Sequence, residues 1–256
     1  MSESAVLLEY RGQIAILTLN RPHAYNACNT DIRHGMLEAV WELSNREDIR
    51  VVILTANGKG FCAGADLRET FPNNVQMQLH KEYEPTLMGL RRLNKVVIAA
   101  VNGAVAGIGC AFVAACDLAV MVEDAYMQLA FSKIALVPDG GITWDLVRAL
   151  GYKRAYRLMI EAGKLSAREC EQYGLINEVV KEDALGYALD WAQRLCALSP
   201  VANVLTKRVA HHAEELDIHG TFAIEAELQL VASRSADCAE GVTAFLEKRA
   251  PQYPGK

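Results

Sequence analysis

The 256 residues hold no CxxC pair and no group of His and Cys at metal-ligand spacing, which argues against a zinc site or any other bound metal. The seven cysteines (Cys28, Cys62, Cys110, Cys116, Cys170, Cys196 and Cys238) are odd in number and scattered among apolar neighbours. They form no disulfide framework. Basic residues are not in excess: 26 Lys and Arg stand against 31 Asp and Glu, a formal charge of −5. That balance argues against nucleic acid or a membrane surface as the main partner, while leaving room for a local basic cluster on a polyanionic ligand. Residues 1–20 lack the apolar core of a secretory signal, and the closing Pro-Gly-Lys is not a peroxisomal address, so a cytoplasmic location is expected. No Gly/Ser or Pro linker divides the chain. What is present is apolar: 52% of residues are hydrophobic and 22% charged, an ordinary globular composition with ample core.

The most informative stretch is 96–141. Its apolar, β-branched opening, VVIAAV, has the length of a buried strand. Asn102-Gly103 turns the chain, and Ala106-Gly107-Ile108-Gly109 leads into a run of small apolar residues, 110–116, that suits a core helix. A glycine-rich turn feeding such a helix leaves its first N–H groups unpaired. Donors of that kind in a dry site can hold an oxygen that becomes negative during a reaction.

Along the chain, 6–10 and 13–19 read as a β-hairpin around Arg11-Gly12. Asn29, Thr30 and Asp31 offer caps for a helix running through Leu43. Strands are expected at 51–55, 96–101, 118–122 and 177–180. Residues 68–95, interrupted by Pro72 and Pro85, read as a mobile surface cover. Helices follow near 142–150, 152–162 and 167–173, the last capped by Ser166 and stopped by Gly174. From Asp183 onward the pattern is helical only. The fold class is α/β, with strand–strand–helix units over 1–195 and a helical region over 196–256 that by pattern alone reads equally as an oligomerisation element or a lid on the core.

Two motifs together carry a resemblance. GKGFCAGADL at 58–67, followed about 40 residues later by VIAAVNGAVAGIGCAFVAACDLAV at 97–120, resembles the crotonase, or enoyl-CoA hydratase/isomerase, superfamily. NRPHAYNA (20–27), VVILTANG (51–58), GYKRAYRLMIEAGKLSARECEQYGLINEVV (151–180) and EGVTAFLEKR (240–249) match it in the same order. The resemblance implies a spiral of ββα units with a helical C-terminal part, homotrimers or dimers of trimers, acyl-CoA thioester substrates, and no cofactor beyond the coenzyme A of the substrate. It places the thioester oxygen on the backbone N–H groups of Ala65 and Ile108. Ala63, Gly64, Asp66 and Leu67 would line the adenine and pantetheine path, with Ala24 and Ala27 opposite. His23, Arg68 and Lys248, the last from a neighbouring subunit, are candidates for the CoA phosphates. Gly107, Phe131, Leu136 and Phe245 would surround the acyl group. Ile108 stands where relatives carry Gly or Ala, so a pocket narrowed by its side chain is expected.

Hydratases of this family split water with two glutamates. The two aligned positions here hold Ala111 and Phe131, neither of which has a proton to give. Asp139, in FSKIALVPDGG, falls where isomerases of the family carry a functional aspartate, and its surroundings resemble the ring 1,2-epoxyphenylacetyl-CoA isomerases except at Ile142. Two readings of Asp139 stand: an N-cap for the following helix, or a base that moves a proton between C2 and C4 of an enoyl thioester inside an apolar pocket of Phe131, Leu136, Val137 and Trp144. Hydration with atypical residues, thioester hydrolysis and epoxide isomerisation remain open beside isomerisation, as does a non-catalytic acyl-CoA binder. Asp66 reads more simply as a helix cap, Asp117 as a buried acceptor and His80 as part of a solvated helix face. His211, His212 and His219 read as surface residues, Cys62 and Cys110 as small fillers, and Arg157–Glu161 as a surface pair.

Overall fold

The Arg11-Gly12 turn, with Gly12 at φ +60°, joins β1 (Val6–Arg11) to β2 (Ile14–Leu19) as the expected antiparallel hairpin. A computed structural model describes residues 4–69 and 73–256 of the chain. Three times the chain makes a long strand, a tight turn and a short strand: β3 (Val51–Ala56) then β4 (Gly60–Cys62), β5 (Val96–Val101) then β6 (Ala104–Ala106), β7 (Leu118–Val122) then β8 (Tyr126–Gln128). After β9 (Lys164–Ser166) and β10 (Glu178–Val180), two sheets are complete. The long strands lie in the order β1-β2-β3-β5-β7-β10, and the short ones in the order β4-β6-β8-β9. Apart from the β1–β2 hairpin the large sheet is parallel. Its central strands are covered on both faces, which explains why β3 and β5 read as unbroken apolar runs.

The short strands escape a reading by pattern because three residues are too few to show alternation. They matter, since β4 and β6 pair in parallel and bring 60–64 beside 104–107. One core fills the space between the sheets and the helices α1 (Thr30–Ser44), α3 (Glu84–Arg92), α4 (Ile108–Ala114), α5 (Ile142–Leu150), α6 (Tyr152–Ile160) and α7 (Ala167–Gln172), while α2 (Val75–Gln78) buries no residue. Asn29 caps α1 by accepting the Ile32 N–H at 3.1 Å, and Ser166 caps α7 in a reciprocal capping box with Glu169. On the outer face of the large sheet lies α8 (Ala184–Cys196). Its Ala184, Ala188 and Ala192 allow close packing on Ile14, Ile53, Ile98 and Val120.

The segment read as a surface cover is corrected by the structure from Tyr83 onward, whereas its described residues before Tyr83 are exposed or half-buried. A five-residue π-helical turn, Leu79–Tyr83, links α2 to α3, and Tyr83, Leu87, Leu90 and Leu93 are all buried core residues. Pro85 does not break the helix. It sits in the first turn of α3, where a missing N–H costs little, and the wide turn before it closes with the Glu84 N–H on the Leu79 carbonyl. Pro72 lies outside the described residues.

The chain ends in α9 (Pro200–Ala213), α10 (Ile218–Ser233) and α11 (Ala236–Glu247). Lys207 of α9 ties this region to the body, donating to Asp117 at 2.8 Å and to the Lys95 carbonyl at 3.2 Å, while Asp117 also accepts the Val97 N–H at 2.8 Å. Asp117 is thus the structural acceptor expected of it. Among the described residues no helix is long and apolar enough to cross a membrane.

Candidate active site

The bend after β4 carries Ala63, Gly64, Ala65 and Asp66. A parallel bridge joins Ala65 to Cys28: the Cys28 N–H donates to the Gly64 carbonyl at 2.7 Å, and the Asp66 N–H donates to the Cys28 carbonyl at 3.1 Å. Strand alternation then turns the Ala65 N–H away from that partner. Across from it, Gly107 precedes α4, so Ile108 is the first helical residue and its N–H has no intrahelical acceptor. Among the described residues neither N–H donates to any protein acceptor.

Close backbone approach brings these two turns together. Gly64 has φ +102° and Gly107 φ +52°, conformations that favour glycine. A Cβ on Gly64 would lie 3.3 Å from the Ala106 carbonyl oxygen, and one on Gly107 would lie 3.4 Å from the Gly64 Cα. Both turns border one cavity of about 310 Å³, shared with Phe131, Leu136 and Asp139. Two unused donors on the wall of an apolar cavity can stabilise negative charge on a carbonyl oxygen.

Asp139 lies on the turn before α5. The capping reading fails there: Gly141, not Asp139, occupies the N-cap, and no side chain accepts a hydrogen bond from that helix end. Two successive glycines at positive φ, Gly140 (+67°) and Gly141 (+83°), carry the turn one residue farther than a simple Asp cap needs. Asp139 Oδ1 is buried without a hydrogen-bond partner among the described residues. Burial pushes the acid up to about 6. Ala111 and Phe131, at the two glutamate positions, are both buried, and neither can ionise.

The other expected site residues divide. Ala63, Gly64, Ala65, Asp66, Leu67, Gly107, Ile108, Phe131 and Leu136 all line the cavity. Ala24 and Ala27 are buried and outside its lining, although their turn runs beside it through the Ala63 N–H donated to the Tyr25 carbonyl at 3.0 Å. Asp66 heads no helix. It is held by Arg21 and Arg68, each at 3.1 Å, and Arg68 foremost draws its carboxyl down to about 2. Arg68 sits exposed at the rim through this pair, whereas His23 and Lys248 do not border the cavity. Phe245 is 82% exposed on α11, away from the cavity lining. Val137 and Trp144 are also absent from the wall. Val137 faces outward, and Trp144 lies under the Arg148 guanidinium at 4.2 Å. His80 is exposed and paired with Glu84 at 2.6 Å, which fits a solvated helix face. Cys62 and Cys110 are fully buried with thiols pushed up to about 11 and about 12, so they fill space.

Sequence reading missed Arg33, Glu69, Leu79 and Tyr83 on the cavity wall. Arg33 lies beside the apolar stripe of α1, but that helix also carries Asp31, Glu38 and Glu42, so nothing in the sequence singled it out. It is buried, pairs with Glu82, and holds Glu69 at 2.9 Å. Of the carboxylates on the wall, Asp66 and Glu69 are each held by an arginine, and Asp139 has no such partner among the described residues. A larger cavity, about 510 Å³, lies behind Gly140 and Gly141 beside Arg91, Trp144 and Lys207, and contains neither donor.

Residues 9–256 match the family model described as enoyl-CoA hydratase/isomerase. The chain belongs to the enoyl-CoA hydratase/isomerase family. Within that family it is 36% identical over 250 residues to the 1,2-epoxyphenylacetyl-CoA isomerase of Escherichia coli K12, covering 95% of each chain. It is 35% identical to a probable enoyl-CoA hydratase of Rhodobacter capsulatus over the full length of both. Among solved structures, an enoyl-CoA hydratase from Bacillus anthracis superposes with a TM-score of 0.93 at 29% identity, covering 98% of this chain and 100% of that one. The enoyl-CoA hydratase/isomerase fold thus accounts for both sheets and the helical end, and the family implies an acyl-CoA thioester substrate.

Proposed function

We propose that this member of the family is an enoyl-CoA isomerase with Asp139 as its single proton carrier. The carboxylate removes a proton from C2 of a 3-enoyl-CoA, and the electron pair of that C–H bond delocalises onto the thioester oxygen. The N–H groups of Ala65 and Ile108 stabilise that enolate, one such donor being worth about 2.7–4 kcal/mol. The same carboxyl then gives the proton to C4 as the double bond moves to C2–C3. The observation that carries the reading is the buried Asp139 Oδ1, without a hydrogen-bond partner among the described residues, on the wall of the cavity that holds both donor turns, while the residues at the two glutamate positions of the resemblance, Ala111 and Phe131, cannot ionise. One acid–base group suffices for a proton shift, whereas adding water across an enoyl group needs a group that activates the water and one that protonates C2.

In this reading the CoA moiety runs past Ala63–Leu67 and the turn carrying Ala24 and Ala27. Arg68, His23 and a neighbouring subunit's Lys248 meet its phosphates, and the neighbour's Phe245 closes the acyl end. No cofactor beyond the substrate's own CoA takes part. The helical end assembles a homotrimer or a dimer of trimers. Support comes from α10, which has no buried residue and exposes Ile218, Phe222, Leu230 and Val231. Sedimentation of the full-length protein as a monomer would contradict the assembly.

A second reading, isomerisation of an aryl-CoA epoxide, is favoured by the 36% identity to such an isomerase. The test offers 3-enoyl-CoA, 2-enoyl-CoA and an aryl-CoA epoxide separately, with products followed by mass spectrometry. Conversion of 3-enoyl-CoA without mass change, abolished in Asp139→Asn while CoA binding persists, is the expected result. Conversion of the epoxide alone selects the second reading. Gain of one water by 2-enoyl-CoA would establish hydration instead, released CoA would establish thioester hydrolysis, and binding without any turnover would leave a non-catalytic acyl-CoA binder.

A further inference from the structure

The side chain of Ile108 is 2% exposed, and its tip lies under the turn that carries Asp139. A Cβ placed on Gly140 would fall 2.5 Å from Ile108 Cδ1, 2.7 Å from Ala111 Cβ and 3.2 Å from Leu87 Cδ1. Gly140 therefore rests against two residues of α4 and one of α3, with no room even for a methyl group. One peptide bond separates that seat from the Asp139 carboxyl. On the other side of the seat, a Cβ on Gly141 would meet nothing within 4 Å. The turn is pinned at Gly140 and open at Gly141. The position that the family resemblance gives to a glutamate, Ala111, is part of the same seat, so the small residue that removes one acid also makes room for the turn that brings another.

We propose that the Ile108 side chain is a positioning residue for Asp139, so that one residue sets both an oxyanion donor, through its N–H, and the seat of the base, through its Cδ1. This rests on the isomerase reading above. Packing of this kind fixes the carboxyl relative to the donor and keeps water from it, and misplacement of a reacting group by about 1 Å can cost a hundredfold in rate. Ile108 lines the cavity, and its tip is directed at Gly140.

Charged groups face Asp139 from several elements. Across the cavity stand Arg33 of α1, Asp66 and Glu69 after β4, and Lys133 on the 3₁₀ turn at 130–134. Behind Gly140, Arg91 of α3 is paired with Asp145 of α5 at 2.6 Å, and Lys207 and His211 of α9 face Asp117. Ile108→Ala leaves all of these in place and keeps the backbone donor.

The test compares wild type, Ile108→Ala, Ile108→Val and Gly140→Ala in steady-state isomerisation of a 3-enoyl-CoA across pH 4.5–8. For Ile108→Ala the expected result is a kcat lowered about tenfold or more with KM little changed. The acidic limb of kcat/KM should move from near 6 toward the ordinary carboxylate range as water reaches Asp139. Ile108→Val, lacking only Cδ1, removes the seating atom itself and should show the same limb shift and most of the same loss in rate. Gly140→Ala crowds the contact from the other side and also forces an L residue to φ +67°, so it bears on the question through a wild-type limb and rate alone, and Ile108→Val keeps the question decidable should Ile108→Ala not fold. A folded Ile108→Ala, Ile108→Val or Gly140→Ala with a wild-type limb and rate, or an Ile108 variant with kcat and KM changed and the limb unmoved, overturns the proposal. Asp139→Asn separates the two failures: if it retains turnover, the isomerase reading falls, and if it is inactive while the Ile108 and Gly140 variants behave as wild type, only this inference does.

Discussion

Two aspartates border the same cavity, Asp66 on the bend after β4 and Asp139 on the turn before α5, and both follow a small or turn-forming residue in sequence. Asp66 accepts from Arg21 and Arg68 and from the Arg68 N–H, which draw its carboxyl down to about 2. Asp139 has an oxygen with no partner and is pushed by burial up to about 6. The first is charged throughout the neutral range and locked in an ion-pair cluster. The second sits near the pH at which a carboxyl can both take and return a proton. Proximity to the cavity does not distinguish them; the presence or absence of a counter-charge does.

The sharpest way to break the comparison is to neutralise each in turn. Asp139→Asn should lower isomerisation about 10³-fold, whereas Asp66→Asn should leave kcat nearly unchanged and act on KM for the CoA thioester. Steady-state kinetics with a 3-enoyl-CoA checks both, and equal losses would erase the distinction. Next in size is the donor wall between them. Gly64→Ala forces an L residue to φ +102° with its Cβ 3.3 Å from the Ala106 oxygen, so the Ala65 donor must move. Loss of one such donor predicts a kcat about 10²-fold lower, measured with the same substrate. Smaller again is the pH effect. In wild type, kcat/KM should fall tenfold per pH unit below about 6 as Asp139 is protonated, and Asp66→Asn should leave that limb where it is.

Much of this was legible in the chain because it rests on local chemistry. The β3 and β5 runs, the Asn29 and Ser166 caps and the glycine turns at 64 and 107 each announce themselves within a few residues. The short strands β4, β6, β8 and β9 do not, since their meaning lies in pairing with segments about 20–45 residues away. Asp139 shows the limit most clearly: Asp-Gly-Gly before a helix has the composition of a cap, and only the positive φ of both glycines moves the cap to Gly141. Arg33 shows the converse. A charge on a helix reads as solvated until its partners, Glu69 and Glu82, arrive from a segment 36 to 49 residues on.

The smallest expected effect concerns stability, where the two aspartates should carry opposite signs. Asp66 has a folded-state pKa below its unfolded value of about 3.8, so it stabilises the fold above pH 4, and that contribution is lost as pH falls through about 2. Asp66→Asn should therefore cost about 1 kcal/mol at pH 7, since one of its two partners, Arg68, is exposed to solvent, with the difference from wild type vanishing in strong acid. Asp139 has its folded-state pKa raised, so its charge destabilises the fold at pH 7, and the penalty is relieved as pH falls through about 6 toward the unfolded value. A shift of about two units corresponds to roughly 2–3 kcal/mol. Asp139→Asn should thus be more stable than wild type at pH 7 by up to that amount, and the advantage should close by about pH 4. Urea denaturation of the three proteins between pH 2 and 8 reads both slopes, that of Asp66 below pH 4 and that of Asp139 between pH 4 and about 6. If Asp139→Asn is destabilised at pH 7, the carboxyl has a partner that supports its charge, and the contrast with Asp66 collapses.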